Sequence, residues 1–158
     1  MSTFEGHLRA PDGEIALVAA RFNELIVNPL IEGARDALIR HGLAADRITT
    51  IRCPGSFELP LTCQSAVRSG RFVGVVALGC VIRGATAHFE YVSAAAAQGL
   101  LRVSMESAVP VAFGVLTVEN LEQAFERAGS KAGNKGAEAA MALLEQIDLQ
   151  RQLCGGQA

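Results

Sequence analysis

The sequence predicts an α/β fold in which helices cover both faces of a four-stranded parallel sheet. Short apolar runs alternate four times with segments whose apolar residues recur at helical spacing. The run Val73–Leu78 is apolar at nearly every position, which is typical of a parallel strand covered on both faces. Because no repeat, linker or composition break interrupts residues 1–158, we treat them as a single domain.

The first strand and helix are predicted from turn and cap signals. Ile15–Ala20 is a short apolar run that follows the turn signal Pro11–Gly13. Asn28-Pro29 has the pattern of a helix start, with asparagine as the cap and proline at the first helical position. Gly42 is expected to end this helix, since glycine favours the left-handed residue after a helix.

The remaining elements follow from the same signals. The further strands are expected at Ile48–Ile51, Val73–Leu78 and Val111–Val115, and the helices at Glu58–Arg68 (ended by Gly70), Phe89–Met105, Glu119–Ala128 and Gly136–Gln150. Residues 1–13 are either a tail or an added edge strand, and the sequence favours neither. Residues 153–158 are expected to be frayed.

Composition and charge exclude several classes of partner. Fourteen basic and sixteen acidic residues give a net charge of −2 without a run of like charge, so we expect no nucleic-acid partner. No secretory signal or membrane span is recognisable, and we therefore expect a cytoplasmic protein without a membrane partner. The four cysteines form no C-x-x-C pair and are expected to be reduced and mostly buried, with no metal site.

The loop Gly79–His88 follows the third predicted strand, at the sheet edge where α/β proteins bind ligands. Its glycines resemble a phosphate loop, but Ala85 stands where that motif has lysine, which excludes the nucleotide-binding version. What remains is a small-residue turn whose N–H groups could hold an anion, with a hydroxyl from Thr86. A tight strand–helix turn without a ligand explains the glycines equally well.

His88 lies where this turn meets the next helix. An imidazole titrates near neutral pH, so His88 is the best candidate for a general acid or base. A helix cap or a surface histidine is the alternative.

Two further loops at this edge carry candidate ligand groups. Residues 54–58 present backbone, hydroxyl and carboxylate groups that suit a polyhydroxyl chain; the alternative is a helix start with Ser56 as its cap. Phe22 offers a flat face for a ring, although an aromatic core residue is the default.

Three cations, Arg127, Lys131 and Lys135, lie close together among glycines. Arginine can bind a phosphate with two parallel hydrogen bonds and lysine adds a point charge. The alternative is a solvated turn between two helices.

Taken together, these segments resemble one family. The stretches PGSFELP (54–60), ALGCVIRGATAHFEYV (77–92), PVAFGVLT (110–117) and ERAGSKAGNKG (126–136), with ARFN (20–23), are similar to those of 6,7-dimethyl-8-ribityllumazine synthases in order and spacing. The resemblance covers essentially the whole chain, and the blocks GATAHFEY and RAGSKAGNKG are its most specific parts.

The resemblance implies a flavodoxin-like three-layer sandwich. It also implies condensation of 5-amino-6-(D-ribitylamino)uracil with 3,4-dihydroxy-2-butanone 4-phosphate, with release of phosphate and water. No cofactor is implied. The implied roles are proton transfer by His88, pyrimidine and ribityl binding by Phe22, Ser56, Phe57, Glu58, Cys80, Val81, Ile82 and Phe113, and phosphate binding by Ala85, Thr86, Arg127 and Lys135.

The resemblance further implies homopentamers whose active sites are shared between neighbouring subunits. The segment Ala128–Gly136 has no insertion, which resembles relatives that assemble a 60-subunit capsid. Riboflavin synthase is a further partner that the resemblance raises. The alternatives are a non-catalytic flavin- or phosphate-binding module and a shell protein on the same fold.

Overall fold

Strands β1 (Glu14–Ala20) and β3 (Phe72–Ile82) form the centre of the sheet, because their own side chains are mostly apolar and are buried on both faces of the sheet. The computed structural model describes residues 1–155. β2 (Ile48–Cys53) and β4 (Val111–Val118) complete a parallel sheet in the order β2-β1-β3-β4. The helices are α1 (Glu24–Arg40), α2 (Leu59–Arg68), α3 (His88–Ser107), α4 (Leu121–Arg127) and α5 (Lys135–Cys154).

Alternation of side chains along β1 divides the core into two halves. Ile15 and Leu17 point to the face covered by α1 and α5, whereas Ala16 and Val18 point to the face covered by α2 and α3. The predicted fold class is therefore confirmed as a three-layer α/β/α sandwich. The carboxyl ends of all four strands lie at one edge of the sheet.

β3 is longer than predicted, because its pairing with β4 continues past the end of β1. The β1–β3 ladder ends at the pair Ala19–Leu78, whereas the β3–β4 ladder continues to Ile82–Val118. The segment Gly79–Ile82, expected to be the start of a loop, is thus the projecting end of a strand. The predicted loop start was wrong because a tertiary partner strand overrode the glycine signal.

The predicted start of α1 at Asn28 was also wrong, since the helix begins at Glu24 and contains Pro29. Ile26 and Val27 are fully buried in the earlier turn, and their burial outweighs the cost of about 3 kcal/mol for a proline inside a helix. Asn28 is no cap: its side-chain oxygen accepts a hydrogen bond from Arg52. At the other end, Gly42 follows the cap residue with a φ of 98°, as predicted.

The two termini both involve α5. Residues 1–13 form no strand in this chain; the Gln152 amide donates to the Glu5 carbonyl, and the His7 N–H donates to Asp148. α5 continues through Cys154, so residues 153 and 154 are helical, and the expectation that residues 153–158 are frayed stays a prediction. Residues 156–158 lie outside the described part.

A small antiparallel hairpin that the sequence did not predict precedes α5. Its strands are β5 (Ala128–Ser130) and β6 (Gly133–Asn134). The Asn134 side chain accepts hydrogen bonds from two N–H groups in the first turn of α5 and donates to the Pro29 carbonyl. It therefore both caps α5 and fixes this helix against α1.

Candidate active site

A cleft of about 670 Å³ lies at the carboxyl ends of β1, β2 and β3. It is lined by eight residues that the sequence predicts for substrate binding or catalysis, namely Phe22, Ser56, Phe57, Glu58, Cys80, Val81, Ile82 and His88. Asn23, Gly55, Tyr91 and Val92 complete the lining; the sequence gives none of them a role of its own, although Gly55 belongs to the candidate loop 54–58.

The loop after β1 is fixed against the loop after β2 by backbone hydrogen bonds. The Arg21 N–H donates to the Cys53 carbonyl at 2.8 Å, and the Phe22 N–H donates to the Pro54 carbonyl at 3.0 Å. These bonds leave the Phe22 ring 74% exposed at the mouth of the cleft. The alternative of a core aromatic is therefore wrong, and the ring is free to stack on a planar ligand.

Asn23 has the left-handed backbone conformation, with φ 59° and ψ 42°. This conformation costs a residue other than glycine about 1 kcal/mol. Asn23 precedes α1, yet its side chain does not cap that helix. Instead its amide nitrogen donates to the Cys80 carbonyl at 2.8 Å, which joins the loop after β1 to the projecting end of β3.

The loop after β2 packs closely against β3. Ser56 is buried, and a Cβ atom added at Gly79 would lie 2.6 Å from its hydroxyl oxygen, so glycine is needed there for the two segments to approach. α2 begins at Leu59 without a side-chain cap, so the interpretation of Ser56 as a helix cap was wrong. Phe57 and Glu58 are exposed in the cleft.

The projecting end of β3 presents backbone groups on the side that β1 no longer covers. The Arg83 N–H donates to the Val118 carbonyl, so it faces β4. Because backbone groups alternate between the two sides of a strand, the N–H and carbonyl of Ile82 face the opposite side. The β1–β3 ladder ends before this point, which leaves a donor and an acceptor available for a ligand edge.

The Cys80 side chain does not supply a nucleophile at this position. Its thiol is buried, and burial raises its pKa to about 11. The thiol therefore stays protonated at neutral pH, whereas nucleophilic attack requires the thiolate.

His88 is the first residue of α3, as expected for the junction between loop and helix. Its backbone N–H lies 3.4 Å from the Thr86 hydroxyl oxygen, and His88 is among the residues that line the cleft. Tyr91 and Val92, both missed by the sequence analysis, follow one helical turn later; their spacing from His88 was the available signal. Ala85 and Thr86 are exposed and line neither cleft of the single chain.

A second cleft, of about 470 Å³, lies between β4 and the start of α5. It contains Phe113, Arg127 and Lys135, which the sequence assigns to the same active site. Arg127 donates to the Gln123 carbonyl at 3.1 Å, and Lys135 pairs with Glu138 at 2.7 Å. No residue lines both clefts, so the structure divides the predicted site residues between two clefts, apart from Ala85 and Thr86, which line neither.

The three clustered cations Arg127, Lys131 and Lys135 do not all line the second cleft. Lys131 is 83% exposed in the turn between β5 and β6, where it lies 3.9 Å from Glu126. Only Arg127 and Lys135 of the three cations line the second cleft. The alternative of a solvated turn fits Lys131, and phosphate binding by Arg127 and Lys135 stays a prediction.

Residues 1–155 contain no group of three or more histidine, cysteine, aspartate or glutamate side chains that could hold a metal ion. In the same part of the chain, no helix is both long and apolar enough to cross a membrane.

Comparison with known proteins identifies the family. The model of the family described as 6,7-dimethyl-8-ribityllumazine synthase matches residues 12–151. A relative of that name from Chlorobaculum tepidum is 53% identical over 153 residues, which cover 97% of this chain and 99% of the relative. Another from Halorhodospira halophila is 57% identical over 154 residues, with coverage of 97% and 99%. The chain therefore belongs to the 6,7-dimethyl-8-ribityllumazine synthase family.

Proposed function

We propose that this chain condenses 5-amino-6-(D-ribitylamino)uracil with 3,4-dihydroxy-2-butanone 4-phosphate to 6,7-dimethyl-8-ribityllumazine, as a step of riboflavin biosynthesis. Phosphate and water are released. The observation that carries this proposal is the first cleft, where eight residues predicted for this reaction come together in one chain. Family membership supports the same reaction.

The pyrimidine substrate would occupy the first cleft. Phe22 would stack on its ring, and the free backbone groups at the end of β3 would bind the edge of the uracil. Ser56, Phe57 and Glu58 would hold the ribityl chain, for which a carboxylate and backbone groups are suitable partners. The exposed Phe22 ring and the projecting strand together fit a flat ligand with polar edges.

Proton transfer is the only chemical role that the reaction requires of a side chain. An aryl amine attacks a ketone, an imine forms, phosphate leaves and a second amine closes the ring. His88 lines the cleft and would move protons between these groups. Holding both substrates in the reactive orientation would supply much of the remaining rate increase.

The phosphate site would be completed by a second subunit. Arg127 and Lys135 line the second cleft with Phe113, apart from His88. We propose that the second cleft of one subunit adjoins the first cleft of its neighbour in a homopentamer. There Phe113 would close the ring pocket, and Ala85 and Thr86 would complete the phosphate site. A head-to-tail ring repeats such an interface around its axis.

We further propose how the pentamers assemble and how the chain is organised into domains. The segment between α4 and α5 is only a short hairpin, which favours assembly of the pentamers into a 60-subunit capsid. We also propose that residues 1–158 act as one lumazine synthase domain. The cytoplasmic location and the association with riboflavin synthase stay predictions from the sequence.

The test is to incubate the purified chain with both substrates and record the fluorescence of the lumazine product. A parallel reaction without protein measures the uncatalysed condensation. Product formation well above this background is the expected result. A flavin- or phosphate-binding module would bind ligand without turnover, and a shell protein would assemble without it, so either outcome would overturn the enzymatic proposal.

A further inference from the structure

We propose that Asn23 is a positioning residue that fixes the projecting end of β3 for the pyrimidine substrate. The proposal rests on the proposed function, because it assigns that substrate to the first cleft. Asn23 would act through the β3 backbone, without itself reacting.

The first argument is the conformation of Asn23. An asparagine before a helix ordinarily caps it through its side-chain oxygen. Here the side chain points away from α1, and the Ile26 N–H, which a side-chain cap would bind, donates to the Asn23 backbone carbonyl instead. The protein thus gives up a local cap in favour of a distant hydrogen bond, as is typical of residues held for function.

The second argument is what this hydrogen bond holds. The β1–β3 ladder ends at Leu78, so the following residues of β3 have no strand beside them on the β1 side. The Asn23 amide bonds to the Cys80 carbonyl on that side and replaces the missing strand at one position. Two residues further, Ile82 presents the free backbone groups that would bind the uracil edge.

The third argument is the residue type. The left-handed conformation is readily adopted only by glycine, asparagine and aspartate. Of these, only asparagine has a side-chain N–H that can donate to a carbonyl; an ionised aspartate can only accept. The backbone conformation and the bond to Cys80 at 2.8 Å together favour asparagine at position 23.

The test compares Asn23→Gly and Asn23→Asp with the parent chain. Glycine retains the backbone conformation without the side chain, and aspartate retains the shape without the donor. The control is Ala108→Gly, because Ala108 is the other left-handed residue of the described chain that is not glycine, and it ends α3 at the opposite edge of the sheet. This control measures the effect of relieving left-handed backbone strain when no side-chain hydrogen bond is lost.

We expect the KM for the ribitylaminouracil to rise roughly three- to tenfold in both Asn23 variants, the size of one hydrogen bond. The KM for the keto phosphate should stay within about twofold, because its phosphate binds elsewhere. Amide hydrogen exchange should accelerate in a peptide covering residues 79–83 and stay unchanged in one covering residues 73–78. Ala108→Gly should match the parent in all of these measurements.

Three results would overturn the proposal: equal changes in both KM values, faster exchange without a change in the pyrimidine KM, or a higher pyrimidine KM without faster exchange. The last result would mean that Asn23 contacts the substrate directly. If the parent chain forms no product, the proposed function fails. In that case, amide hydrogen exchange and the calorimetric affinity for the ribitylaminouracil decide the role of Asn23. If neither quantity changes in the Asn23 variants, the proposed role is refuted.

Discussion

Phe22 and Phe113, the two aromatic residues expected to enclose one ring, line different clefts of the chain. Phe22 follows β1 at the carboxyl edge of the sheet, and Phe113 belongs to β4 beside α5. Both rings are substantially exposed, at 74% and 48%. A single chain therefore places the two rings in separate clefts, and under the proposed function a second chain would supply the Phe113 ring.

Complementation tests this sharing of the active site. Equal amounts of His88→Ala and Arg127→Ala subunits are unfolded and reassembled together. With random mixing, roughly a quarter of the interfaces join a subunit with an intact His88 to a neighbour with an intact Arg127. Activity should rise towards that fraction of the parent value.

Each variant reassembled alone is the control and should stay at its own low activity. Mass spectrometry of the intact assemblies verifies that the subunits have mixed. If mixed assemblies have only the average activity of the two variants, the site lies within one chain.

Replacement of His88 tests proton transfer. His88→Ala should lower turnover by about 10- to 1,000-fold, the usual range for a lost general acid or base, while binding of the pyrimidine persists. His41→Ala is the matched control, because His41 bonds to the Ala37 carbonyl at the far end of α1. Turnover measured under saturating substrates, with the uncatalysed rate subtracted, should be unchanged in the control; an unchanged rate in His88→Ala would exclude the role.

Replacement of Arg127 tests the phosphate position. A charge-assisted hydrogen bond contributes about 1.5–3 kcal/mol, so Arg127→Ala should raise the KM for the keto phosphate by roughly 10- to 100-fold. Lys131→Ala removes a cation from the exposed hairpin turn and should have little effect. If only the pyrimidine KM rises in Arg127→Ala, the phosphate has been assigned to the wrong cleft.

Replacement of Asp148 tests how the N-terminal segment is held. The carboxylate accepts hydrogen bonds from the His7 backbone and ring, and from Gln152, and lies beside Arg9. These partners lower its pKa from 3.8 to about 2, with His7 as the largest cause. At neutral pH, Asp148→Asn should therefore accelerate cleavage by trypsin after Arg9 several-fold.

The direction of the pH effect follows from the lowered pKa. The carboxylate holds the segment fully above about pH 4 and loses this effect as the pH falls towards 2. As the pH falls from about 4 to 2, pepsin should therefore release the N-terminal residues of the parent chain progressively faster. This increase should be larger than any increase in Asp148→Asn. Glu145→Gln, one turn earlier on α5, is the control; equal cleavage of all three proteins would show that Asp148 does not hold the segment.

Much of the fold could be predicted because its signals are local. Apolar runs mark the four strands, and Gly42 and Gly70 end their helices with positive φ, as the sequence suggested. The site loops could be predicted as well, since parallel strands bring their carboxyl ends to one edge. Their chemical roles came from the family resemblance rather than from the local pattern.

The sequence by itself determined the order of the five helices and of the four strands of the main sheet, the two-sided burial of that sheet and the loops that carry the candidate site. Only the tertiary structure decided the early start of α1, the projection of β3 past β1 and the division of the site residues into two clefts. Each of these depends on contacts between segments far apart in the chain. The bond from Asn23 to Cys80 spans 57 positions, and no local propensity of either residue specifies it.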